Sequence, residues 1–148
     1  MKGMMDDANT ELQQRLLEGK TVQIIPQGIS MLPFIQGGQD KVLVSKVGEV
    51  SVGDIVLAPY GGSLILHRIY AVAGDKIILM GDGNLKGNEV VDKLEIWGKV
   101  TRILKPNGRC RQPNHAWFWR HTLPFRKYLL KLCRKWNKFW NRDLTSKN

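Results

Sequence analysis

"DIVLAPYGGSLILHRIYAVAGDKIILMGD", residues 54–82, decides the fold. Three apolar runs rich in Ile, Val and Leu are separated by "YGGS" (60–63) and "AGDK" (73–76), both turn signals of hairpin length. Gaps that short join antiparallel neighbours, because a parallel pair needs a crossover of about a dozen residues or more. Upstream, "TVQIIP" (21–26) and "KVLVSKV" (41–47) carry the same β signal, and downstream so does "IWGKVTRIL" (96–104). Closely spaced strands of this kind predict a mostly β, antiparallel domain over residues 20–104.

Around that domain the chain changes character. "NTELQQRLLEGK" (9–20) predicts a helix within residues 1–19, with Asn9 or Thr10 as N-cap, Gln13 completing a capping box and Gly19 at the left-handed C′ position. "KPNGRCRQPNH" (105–115), with two prolines and an Asn-Gly pair, reads as a linker. Beyond it, Phe125, Leu129, Leu132, Trp136 and Phe139 fall on one helical stripe. Lys127, Lys131, Arg134, Lys138 and Arg142 fall on the opposite one. Residues 116–148 are therefore expected to form a basic, amphipathic C-terminal helix, with Pro124 in its first turn.

Charge follows the same division. The chain carries a net +10; residues 102–148 hold +12 of it and residues 1–101 are at −2. The tail rather than the domain should govern attraction to anionic partners. Trp136 and Phe139 in the headgroup region, with Lys131 and Lys138 on anionic lipid, describe binding to a membrane surface. The other two readings are that the stripe docks on the β domain, or that it meets nucleic acid or an acidic peptide. No apolar run reaches the length of a spanning helix, and "MKGMMDDANTELQQ" has no secretory h-region. The expectation is a cytoplasmic protein, peripheral on the inner membrane face. Cys110 and Cys133 are too few for a disulfide framework, and three unclustered histidines offer no metal site, so no metal or cofactor is expected.

The remaining question is Ser30, in "QGISMLPFIQGG" (27–38), placed straight after an apolar run. A serine hydroxyl is a poor nucleophile near neutral pH without a base to take its proton and donors to receive an oxyanion. His67 is the histidine inside the β domain. Strict alternation puts it on a face with Ile65 and Ile69, and puts Leu66 and Arg68 on the other. A buried structural histidine would read the same way.

Four boxes, taken in order, add to this. "GISMLP", "VGDIVLA", "LHRIYAV" and "MGDGN" resemble the successive motifs of the serine-peptidase clan of type I signal peptidases and self-cleaving SOS-response repressors. The third box resembles its histidine-base, signal-peptidase branch. The resemblance spans about residues 20–104 and implies an antiparallel pseudo-barrel, with Ser30 as nucleophile and His67 as general base. The third member stays open. Asp82 is preferred, Glu89 is the other nearby acid, and a Ser–His dyad is the remaining arrangement; Asp82 tying its own turn is the structural alternative. An oxyanion needs a preorganised N–H, for which the Ser30 backbone is the natural donor, and the resemblance puts Gly28 where many signal peptidases carry a hydroxyl. Asp40 and Asp54 read as structural turn residues.

The implied reaction is endoproteolysis of a peptide or protein precursor through an acyl-enzyme, the substrate lying extended against strand edges. The chain departs from both branches. It shows no membrane anchor, and it has no helix-turn-helix and no Ala-Gly or Cys-Gly bond before Ser30, so self-cleavage is not expected. The competing class is a non-catalytic module of the same fold that binds peptide or nucleic acid.

Overall fold

The computed structural model describes residues 2–28, 31, 32, 34–82, 89–113, 131 and 135, with side chains from Asp7 onward. Ser30, Pro33, Trp136, Phe139 and Lys138 lie outside the described residues, as does most of the predicted C-terminal helix; Lys131 and Lys135 are helical and exposed.

Helix α1 runs from Lys2 to Leu17. It ends as expected. Gly19, at φ 81°, closes a Schellman motif in which Gly19 N–H donates to Leu16 O and Lys20 N–H to Arg15 O, both at 3.0 Å. Its start was misplaced: Asn9 and Thr10 are interior residues, because the Met and Ala positions upstream carry the helix past their modest propensity cost. Leu16 is fully buried, and Leu12 packs beside it.

Among the described residues eight strands follow: β1 (Val22–Ile24), β2 (Lys41–Lys46), β3 (Ile55–Tyr60), β4 (Ser63–Ala73), β5 (Lys76–Met80), β6 (Glu89–Asp92), β7 (Gly98–Leu104) and β8 (Cys110–Arg111). All pairings are antiparallel, in the order β1-β2-β7-β3-β4-β5-β6, with β8 on β7. Both anticipated hairpins are present. Gly61 and Gly62 take φ of 57° and 79° between β3 and β4, and Gly74 takes 62° between β4 and β5. These are the positive values that primed hairpin turns demand.

Alternation along β3 sorts the core into two clusters. Ile55 and Leu57 join Val42, Val44, Val100 and Ile103, with Leu16 of α1. Val56 and Ala58 join Ile69, Ile77, Leu79 and Val91. The sheet therefore buries both faces, as a coiled, barrel-like sheet must.

Strands β6 and β8 were not anticipated. The segment read as a linker opens as a hairpin: Lys105 N–H donates to Arg109 O at 2.8 Å, Gly108 turns at φ 82°, and β8 pairs Arg111 with Ile103. The Asn-Gly signal here makes a tight turn, with Asn107 Oδ1 accepting from Arg109 N–H at 3.0 Å. The folded unit thus extends past residue 104.

Candidate active site

Strand parity places the titratable groups. In β4 the side chains of His67 and Ile69 share one face and Arg68 the other. Cross-strand register carries those faces onward: Arg68 pairs with Met80, whereas Ile69 pairs with Leu79, which pairs with Glu89. Glu89 therefore stands on the face of His67. Its Oε2 lies 2.9 Å from His67 Nδ1, with the two side chains 17% and 7% exposed. A carboxylate only accepts, so Nδ1 is the donor in this contact, and in the neutral imidazole that tautomer leaves the lone pair on Nε2.

Asp82, expected on the imidazole, is on Arg68 instead. Arg68 Nε donates to Asp82 Oδ1 at 2.8 Å, and a terminal nitrogen donates to Oδ2 at 2.7 Å. Both side chains are buried, at 6% and 1% exposure. The fourth box favoured Asp82 as a short acid in the Gly-Asp-Gly-Asn turn; register puts it on the opposite side of β4 from the ring. The bidentate pair has the geometry that planar guanidinium and carboxylate favour. Asp82 N–H also reaches Met31 Sδ at 3.5 Å, which ties this turn to the residue after Ser30.

The loop around Ser30 is described on both flanks. Phe34 and Ile35 N–H groups both donate to Met31 O, at 3.1 and 3.0 Å, so the chain turns immediately after the serine. Gly38 N–H donates to Pro26 O at 2.7 Å and closes the loop on itself. Gly37 lies so near Gly28 that a Cβ there would stand 2.0 Å from Gly28 O. Gly28 itself takes φ 84°.

A groove of about 500 Å³ runs along this loop. One wall is Ile24 to Gly28, the other Leu64 to His67, with Met31 and Ile35 between and Asn9 of α1 contributing. Both walls present strand edges. Among the described residues β1 pairs only with β2, and the Ser63–His67 half of β4 pairs with β3, its pairing with β5 starting at Arg68.

Sequence reasoning correctly paired Asp40 and Asp54 with turns. Asp40 Oδ2 accepts from Gln36 N–H at 2.7 Å, and Asp54 Oδ2 from Ser51 N–H at 2.9 Å. It missed Arg68 as the partner of Asp82, and Lys105 as the partner of Asp40. Only the β4–β5 register could have found the first; no local signal marks the second. Among the described residues no cluster of His, Cys, Asp and Glu could hold a metal ion, and no helix is long and apolar enough to cross a membrane.

A family model described as peptidase S24-like matches residues 5–101. No curated protein matches the chain. The matched segment holds most of α1, the serine loop, His67 and the strands through most of β7, and with the mostly β antiparallel architecture it agrees with the serine-peptidase clan that the four boxes resemble. The chain belongs to the peptidase S24-like family.

Proposed function

We propose that this protein is a serine endopeptidase of the signal-peptidase-like type, acting on a peptide or protein precursor. The observation that carries the reading is the His67–Glu89 contact: a carboxylate on Nδ1 leaves Nε2 basic on a ring that lines the groove beside the serine loop. A buried structural histidine needs no such groove.

In this reading Ser30 Oγ attacks the scissile carbonyl while His67 Nε2 takes its proton. The tetrahedral oxyanion is received by the Ser30 N–H, and Gly28 lets the backbone approach closely. The imidazolium, steadied by Glu89, gives its proton to the leaving amine as the C–N bond breaks. Water then hydrolyses the acyl-enzyme with His67 again as base. No cofactor takes part.

The groove supports an extended substrate. The antiparallel order makes β1 and β4 run in the same sense, so a peptide lying between their edges pairs in one sense with both. The apolar walls formed by Ile24, Leu64 and Leu66 favour aliphatic side chains.

The tail extends the proposal: residues 116–148 carry +8, and their Trp and Lys/Arg stripes hold the enzyme at an anionic membrane surface, as a cytoplasmic protein on the inner face.

The test of the catalytic reading uses the full chain, a fluorophosphonate probe and a mixed library of peptides read by mass spectrometry. The expected result is a single covalent adduct on Ser30 and peptide cleavage, both lost in Ser30→Ala. Binding of peptides without adduct or cleavage would instead favour the non-catalytic module.

A further inference from the structure

The turn that follows Ser30 is gripped by residues beyond the family-matched segment. Lys105, just after β7, sends Nζ to Phe34 O at 2.8 Å and to the carboxylate of Asp40. Asp40 is buried, its side chain 2% exposed, and it simultaneously holds Gln36 N–H. One ammonium therefore joins the middle and the end of the turn.

The same turn is held a second time. The Arg68 guanidinium stands 5.7 Å from the centroid of the Phe34 ring. One of its nitrogens, not used on Asp82, donates to Gly53 O at 2.8 Å and to Pro113 O at 3.0 Å. Between Lys105 and Pro113 the chain runs through the β7–β8 turn and β8. The connection therefore closes a circuit: from the Phe34 carbonyl through Lys105, along the hairpin to Pro113, and through Arg68 back to the Phe34 ring.

We propose that residues 105–113 are a strap that preorganises the nucleophile turn, with Lys105 as a positioning residue. This rests on the hydrolase reading of Ser30. The physical need is plain. Among the described residues the turn's own backbone bonds are short-range, from Phe34 and Ile35 to Met31 and from Gln39 and Asp40 to Gln36, and a loop held by such local bonds alone opens locally at low cost. An error of about 1 Å in a reacting group costs on the order of a hundredfold in rate. Gly37 on Gly28 and the Gly38–Pro26 bond fix the loop's neck, and the strap fixes its crown.

The experiment compares the full-length chain with Lys105→Met/Asp40→Asn, which removes the ammonium without leaving a buried unpaired carboxylate. Lys105→Arg serves as the conservative rescue. Lys76→Met, which breaks an exposed pair with Asp92, is the control. Hydrogen exchange at the Phe34, Ile35 and Asp40 amides is expected to accelerate at least tenfold in the double variant, with Ile77 and Leu79 in β5 unchanged. Ser30 acylation by a fluorophosphonate is expected to slow at least tenfold, with Lys105→Arg recovering most of the loss and Lys76→Met moving neither rate. Unchanged turn amides, or equal acceleration across the sheet, would overturn the strap. A wild-type chain that never labels at Ser30 would instead remove the hydrolase reading, and the exchange rates would still decide whether the strap holds the turn.

Discussion

Glu89, at the start of β6, sits 2.9 Å from the Nδ1 atom of His67, two strands away in the sheet. It reaches the ring because Leu79 and Ile69 relay one face of the sheet from β6 to β4. The chain thus divides labour between two acids that lie seven residues apart: one meets an imidazole that lines the groove, the other a buried guanidinium.

That division is measurable. In Glu89→Gln the amide can present a donor as well as an acceptor to Nδ1, so the imidazole loses its enforced tautomer. Peptide cleavage is expected to fall by roughly 10²–10⁴ in kcat, with KM and the thermal midpoint little changed. A wild-type rate in the amide variant would return Glu89 to a structural role.

Asp82 answers to a different assay. Asp82→Ala leaves the Arg68 guanidinium buried without its carboxylate, and breaking such a pair costs about 3–5 kcal/mol. Urea denaturation should show the loss directly, with any effect on cleavage following the folded fraction. A stable Asp82→Ala with abolished turnover would make Asp82 the catalytic acid after all.

The neck of the serine loop offers a third check. Gly37→Ala puts a methyl group 2.0 Å from Gly28 O, where backbone rather than a flexible side chain must yield. The expected cost is about 2 kcal/mol or more, together with loss of fluorophosphonate labelling at Ser30. Gly48→Ala, with open space around the added carbon, is the matching control and should change neither.

For the tail, sedimentation with vesicles is decisive. The full chain should pellet with vesicles rich in phosphatidylserine and not with neutral ones, at roughly 1 kcal/mol for each base near the surface. Binding should weaken as salt shortens the Debye length to about 8 Å and below. Removing residues 116–148 should abolish it. Equal binding to neutral vesicles would replace the electrostatic account.

Much of this was readable along the chain. Short apolar runs split by Gly-Gly and Gly-Asp announced antiparallel hairpins, because those turns need the positive φ that glycine supplies without strain. Gly19 announced the end of α1 for the same reason. Alternation in "LILHRIYAV" correctly set His67 and Arg68 on opposite faces. Strands β6 and β8 escaped because "EVVD" and "CR" hold too few apolar residues to show an alternation.

By itself, then, the order of residues determined the succession of β1 to β5 and β7, the β3–β4 and β4–β5 turns and the parity of each side chain within those strands, all of which are local and backed by backbone sterics. Only the tertiary structure decided which acid meets His67 and what holds the turn after Ser30. Those outcomes depend on register between strands and on Lys105 closing over Asp40 from 65 residues away, and a contact across that separation leaves no trace in its neighbours along the chain.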